Sequence, residues 1–175
     1  MKRRLFCALT ALVVLYILSQ SAPPDLTAAS RELVRLHVVA DADDDASQAL
    51  KLEVRDAVLA QTQALLSGCG GADEAYAALS GRLSELERAA ADCLAAHGCD
   101  LPVRAELGVF DFPDRDYDGV TVPAGRYRAL RIVIGSGQGH NWWCVLYPTL
   151  CVTPDGAGRS LLVEWFERWF GGDQA

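Results

Sequence analysis

Positive charge is scarce in this sequence. Its 175 residues hold 16 Lys and Arg against 23 Asp and Glu, and three of the cations, Lys2, Arg3 and Arg4, stand at the very start. Residues 22–175 therefore carry 13 cations against 23 anions, a net charge of −10. A surface of that sign repels phosphate backbones and anionic lipid heads, which argues against nucleic-acid binding and against an electrostatic membrane patch. There is no Cys-x-x-Cys pair among the six cysteines, and their spacing matches no familiar zinc site. Internal repeats and long low-complexity segments are also missing, so solenoid and array architectures are set aside.

The apolar run Leu5 to Leu18 has only 14 residues, short of the ~20 that a relaxed spanning helix needs. It follows a basic stretch and precedes Ser19 and Ser21, small residues at −3 and −1 of a cut before Ala22. That is the grammar of a secretory signal peptide, with an uncleaved anchor as the alternative. The expected division is 1–21 signal or anchor, 22–30 linker, 31–153 one domain, and 154–175 an amphipathic tail. About 150 residues suffice for a single core. Contact with a membrane is expected only through the N-terminal segment.

The remaining chain alternates between two periods. Leu33 to Ala40 reads as a strand with Val34, Leu36, Val38 and Ala40 on one face. The acidic run Asp41 to Asp45 follows. A calcium loop would require Gly where Ala46 stands and Glu where Leu52 stands, so helix capping by Asp45, with Gln48 closing a capping box, is the better reading. The next helix has two apolar stripes, which predicts burial between a sheet and another helix. Residues 73–93 read as one further helix, with a stripe through Leu79, Leu83, Leu86 and Ala90, covering the outer face of the first as an αα-hairpin.

Strands are expected at Val103 to Phe112, Val120 to Val122, Arg126 to Ile134 and Trp142 to Tyr147. Helices early and strands late give an α+β fold: a strand, an αα-hairpin, then antiparallel strands forming a mixed sheet with helices packed on one face. Ser160 to Phe170 reads as an amphipathic helix with an aromatic face, a core cover or a self-association surface.

Five cysteines lie beyond the signal, at 69, 93, 99, 144 and 151. An odd count leaves at least one unpaired or bridging two chains. Cys144 and Cys151 are close enough in sequence for a disulfide; the competing reading is a cysteine hydrolase with Cys144 as nucleophile and His140 or His37 as base. A ~30 Å helix separates Cys69 from the others, which leaves Cys93–Cys99 as the feasible second bond. The alternative for Cys93 is a small apolar residue in the helix stripe. His37 is either a ligand or base, or a hydrogen-bonded strand histidine. The Gly135-x-Gly-x-Gly139 run leads into a strand and has no lysine after it, so it reads as a mobile loop and not a phosphate cradle. Trp142 and Trp143 must point to opposite faces of their strand, one into the core and one available as a binding anchor.

Four segments, in one order, carry a family resemblance. They are Leu36-His-Val-Val-Ala-x-x-Asp43, Gln48-Ala-Leu-Lys-Leu-x-Val-Arg-Asp-Ala-Val58, Pro123-Ala-Gly-x-Tyr-x-Ala-Leu-Arg131, and Gly135-x-Gly-x-Gly-x-Asn-Trp-Trp-Cys-Val-Leu-Tyr-Pro-x-Leu-Cys151. The chain resembles the stage II sporulation protein R family. It departs from the family pattern where Asp41-Ala42 replaces Asn-Ser and Thr149 replaces a proline.

The resemblance implies signalling and not catalysis. Such proteins are made in the forespore and exported into the space between the two sporulation membranes. There they activate a membrane-embedded aspartyl protease of the stage II sporulation protein GA type, which cleaves the precursor of sigma-E. No catalytic residue, metal or cofactor is implied. The candidate partner-contacting residues are His37, Asp43, Gln138, Asn141, Trp142 and Trp143.

Overall fold

The computed structural model describes residues 27–117, 119–148, 163 and 165–168. The expected signal or anchor segment, Cys151 and most of the expected tail lie outside them. A single helical turn, α1 (Ala28–Arg31), is capped by Thr27, whose hydroxyl accepts the Ser30 N–H. The first strand, β1 (Val34–Val39), follows directly.

The long helix α2 (Asp45–Leu66) is capped by Asp44, one residue earlier than expected. The Asp44 carboxylate accepts the Ser47 N–H at 3.0 Å and the Ser47 hydroxyl at 2.7 Å. This places Gln48 one position beyond the capping box. Its longer side chain instead reaches back past the cap and donates to the Ala42 carbonyl at 2.9 Å.

The expected second helix is two helices, α3 (Ala72–Gly81) and α4 (Leu83–Ala96), broken at Arg82 with φ −124° and ψ 13°. At the start of α3 the Glu74 carboxylate accepts the Gly70 N–H. Arg82 pairs with Glu85 at the start of α4. The far end of α4 closes on Gly98 (φ +71°), with the Cys99 N–H returning to the Leu94 carbonyl. The break lets α3 pack on β1 and the strand later paired to it, while α4 packs on α2 and the first strand that follows.

Five strands complete the chain: β2 (Val103–Phe112), β3 (Arg115–Tyr117), β4 (Val120–Val122), β5 (Gly125–Ile134) and β6 (Asn141–Tyr147). Four form a mixed sheet in the order β2-β5-β1-β6. β1 runs parallel to β5, pairing Leu36 with Leu130, and antiparallel to β6, pairing His37 with Trp143. β2 and β5 are antiparallel, and β3 and β4 form a separate two-stranded hairpin between them in sequence. The fold is α+β, and the three longer helices pack on one sheet face.

Helix α2 touches both the sheet and α4, but α4 lies on the sheet as well, so the two are neighbours in one layer. The second expected stripe of α2 does not survive intact: Leu52 is 39% exposed, while Val54, Val58, Leu59, Thr62 and Leu66 are buried. The helix-side core joins Val54, Val58, Leu59 and Leu66 to Val34, Leu36, Val38, Leu130, Ile132 and Leu146. Each fully buried aliphatic side chain there contributes ~1.5–3 kcal/mol.

The opposite face of the sheet is also covered. All six residues of β1 are buried. A second core gathers Leu33, Phe112, Val120, Val122, Tyr127, Ala129, Val145 and Trp165. Residues 163 and 165–168 are helical. Trp165 is 5% exposed, and its indole N–H donates to the Ala29 carbonyl at 3.2 Å. The described part of the tail is thus a core cover. Trp165→Ala should cost about 3–5 kcal/mol in urea unfolding of the full chain. A loss below ~1 kcal/mol would mean that the second core does not depend on this segment.

Candidate functional site

Two loops meet at the end of the sheet where β1 stops and β6 begins. One is the acidic loop after β1 and the other is the glycine run. The glycine run is tied down along its length, which corrects the expectation of a mobile loop. The Ser136 N–H donates to the Asp41 carboxylate at 2.6 Å, and the Ser136 hydroxyl to the Asp41 carbonyl at 2.9 Å. The Gln138 and Gly139 N–H groups donate to the carbonyls of Asp41 and Ala40, and the Gly135 N–H to that of Pro102.

The glycines serve close approach as much as conformation. A Cβ at Gly135, where φ is +56°, would fall 2.2 Å from the Asp41 carboxylate. A Cβ at Gly139 would fall 2.3 Å from the Ala42 carbonyl oxygen. Beneath the loops, Lys51 is buried and donates to the His140 carbonyl at 3.1 Å and to the Gln48 side-chain oxygen. Burial pulls its pKa down, while the nearby Asp43 carboxylate opposes that shift.

This junction walls an open cavity of about 340 Å³. Asp43 lines it from the first loop and Gln138, Gly139 and His140 from the second. Asn141 and Trp143 contribute from β6, and Arg115 from β3. The Asp43 carboxylate accepts the His140 N–H at 2.6 Å and also meets its ring Nδ1. Four of the six sequence candidates, Asp43, Gln138, Asn141 and Trp143, therefore line one cavity.

The other two candidates lie elsewhere. Trp142 points to the helix side, packed against that core, with the Arg55 guanidinium 4.9 Å from its ring centre. His37 stands behind Trp143, with the two rings stacked at 4.9 Å and 14°. Neither tryptophan is fully exposed or fully buried, because both sheet faces are covered.

His37 does not match the hydrogen-bonded strand histidine. It is 4% exposed, Phe110 and Phe112 flank it, and neither ring nitrogen has a partner. Desolvation first, then the neighbouring charges of Arg131 and Arg35, pull its pKa down to about 3. It is a neutral ring in an aromatic nest. It also cannot serve Cys144 as a base. His37 is paired with and stacked on Trp143, and the residue after Trp143 faces the other side of the sheet.

Arg35 escaped the sequence reading. It is completely buried, with its guanidinium 4.1 Å from the Phe112 ring centre and 4.9 Å from that of Tyr127. Its one hydrogen bond goes to the Tyr117 hydroxyl at 2.8 Å, and Nε and Nη1 have no partner. Desolvation lowers its pKa, and Tyr117 opposes that. A charge between two apolar neighbours on β1 was the only signal, and half-exposed strands show the same pattern.

Cys69, Cys93 and Cys99 are free thiols, so the expected Cys93–Cys99 bond is not formed. All three pack at the edge of the helix-side core as small apolar groups, and burial pushes the Cys69 and Cys93 thiols up. Cys144 is buried on β6, and its expected partner Cys151 lies outside the described residues. Among the described residues no three His, Cys, Asp or Glu side chains form a group able to hold a metal ion, and no helix is long and apolar enough to cross a membrane.

Two outcomes test this geometry. Gly139→Ala should cost ~1–3 kcal/mol in chemical denaturation, since backbone must move to admit the methyl group; an unchanged midpoint would contradict the close approach. The second concerns pH. The unfolded His37 titrates near 6.5 and the folded one near 3, so unfolding takes up a proton below pH 6.5. Its contribution is intact above that pH and falls by up to ~1.4 kcal/mol per unit as the pH drops toward 3. Between pH 6.5 and 5, thermal melts of His37→Phe should lose less stability than those of the unsubstituted protein. Equal slopes would rule out a buried neutral His37.

Comparison with known proteins now bears on this site. The chain matches the family model "Stage II sporulation protein R (spore_II_R)" over residues 30–156. It is 32% identical over 130 residues to "Stage II sporulation protein R" of Bacillus subtilis (strain 168). That alignment covers 74% of this chain and 58% of the relative, so less than two thirds of the relative's length is spanned. No solved structure matches the chain.

Proposed function

The chain belongs to the stage II sporulation protein R family, and from that premise we propose that it is an exported signal that acts by binding. Its role lies in sporulation. In the proposed reading it is made in the forespore, and residues 1–21 carry it out as a signal peptide or hold it as an anchor. It then activates a membrane-embedded aspartyl protease of the stage II sporulation protein GA type, which matures the sigma-E precursor. A ligand of this kind need only bind one state of its receptor better than another to shift the balance between them. The protein is read as a non-enzyme, with Cys144 bonded to Cys151 and not acting as a nucleophile.

The observation that supports binding as the mode of action is the cavity. Asp43, Gln138, Asn141 and Trp143 line it together, and the loops that carry them are held by backbone hydrogen bonds. A preorganised recess with an aromatic wall and several polar groups loses little entropy when a partner segment enters. The exposed rim group Gln138 sits at the mouth.

Reconstitution tests the proposal. The full chain, the cognate protease and the sigma-factor precursor are expressed together in a host lacking all three, and the shortened sigma factor is followed by blot. Processing should depend on this chain, and Gln138→Trp, which fills the cavity mouth, should lower it ~10-fold while leaving the melting temperature nearly unchanged. Processing that ignores the chain would end the activator reading. Processing indifferent to Gln138→Trp would move the contact away from the cavity. Intact mass after thiol alkylation should show three modified cysteines in residues 22–175; five, with fast labelling of Cys144, would favour the hydrolase.

A further inference from the structure

We propose that the cavity receives an acidic residue of a partner peptide, with its carboxylate on Arg115 and its backbone N–H on Asn141. This rests on the reading that a protein partner docks here. It reverses the expectation set by composition, since a chain with a net charge of −7 should attract basic partners.

The local charge differs from the global one. Arg115 lines the cavity, and its side chain has no hydrogen bond or ion pair among the described residues. Arg35 lies near enough behind it for the two cations to repel, and no carboxylate pairs with Arg35 either. Asp43, the only acid among the described lining residues, is already engaged by the His140 N–H and ring, with the Lys51 ammonium close by. Arg131, further along the same sheet face, is neutralised by Glu106. The uncompensated charge facing the cavity is therefore positive. A guanidinium with its donors unused binds a carboxylate through two parallel hydrogen bonds.

Asn141 narrows the class of ligand. It lines the cavity, and its side-chain oxygen is buried without a hydrogen-bond partner. Turning that amide toward the opening presents an acceptor to an incoming N–H. An unused acceptor beside an unused cation suits a group that brings both a carboxylate and an N–H donor. An Asp or Glu within a peptide does so. A basic side chain brings no acceptor for Arg115, and an inorganic anion brings no N–H for Asn141.

The test uses the full chain purified in detergent and labelled with ¹⁵N, without the protease. The probes are N-acetyl-glutamate methylamide, its neutral isostere N-acetyl-glutamine methylamide, and acetate. The glutamate probe should shift the side-chain amides of Gln138 and Asn141 and the Trp143 indole, and bind about tenfold tighter than the glutamine probe. Arg115→Gln should remove that difference, and added salt should shrink it. Equal binding of the two amides, or no shift with either at the limit of solubility, would overturn the proposal. Acetate binding as tightly as the glutamate probe would overturn the peptide assignment.

Arg115→Gln in the reconstitution separates this inference from the one beneath it. Lost glutamate binding with unchanged processing would sink the docking reading and leave the carboxylate site standing. Lost processing by Gln138→Trp, without any glutamate preference, would do the reverse.

Discussion

The geometry of the site depends on how closely the glycine run is pressed against the loop that leaves the first strand. At Gly135 and Gly139 the separation is smaller than one methyl group requires. Only with glycine there can the Asp41 carboxylate and carbonyl accept from Ser136, and the Ala40 carbonyl accept from Gly139. These bonds join the end of β1 to the entry of β6 and fix the register that stacks Trp143 on His37. Asp41 and Asp43 are thus structural acceptors for the opposite loop, and the helix cap falls to Asp44. An acidic cluster with three different tasks looks uniform in sequence because each task asks only for an oxygen at the right place.

The second face of the sheet carries an unusual electrostatic load. Arg35 and His37 are successive residues on one face of β1, and both are buried among aromatic rings with no carboxylate partner among the described residues. The two respond differently to desolvation. His37 gives up its proton, while an arginine does not do so in this pH range and keeps its charge. The faces of Phe112 and Tyr127 supply part of what water would have supplied, since ring quadrupoles attract a cation by ~2 kcal/mol when desolvated. Phe112 of β2, Tyr117 of β3 and Tyr127 of β5 thus surround the charge as well as covering apolar area.

The strands were legible because their period of two is local. Val103–Phe112, Val120–Val122 and Arg126–Ile134 alternate in a way that neighbouring residues alone decide, and their boundaries agree to within a residue or so. The break at Arg82 was not legible, since its stripe continues in phase from Leu79 to Leu86 and no proline marks it. It arises because one half of the segment follows β1 and β5 and the other follows β2. The rigid hold on the glycine run was hidden for the same reason: glycine tolerated by a loose loop and glycine demanded by contact read alike. Asp43, Asn141 and Trp143 stand at fixed positions of the motifs, whereas Gln138 falls at an open motif position and Arg115, from a three-residue strand, carried no signal.

The strand order has a consequence in time. The first strand made is central in the sheet, and its neighbours β5 and β6 begin about 90 and 100 residues later. A chain threaded N-terminus first through a narrow channel cannot close this sheet until nearly all of it has emerged. Its topology therefore delays closure of the sheet, and with it the cavity lined by Asp43 and Trp143, until the last strand is in place.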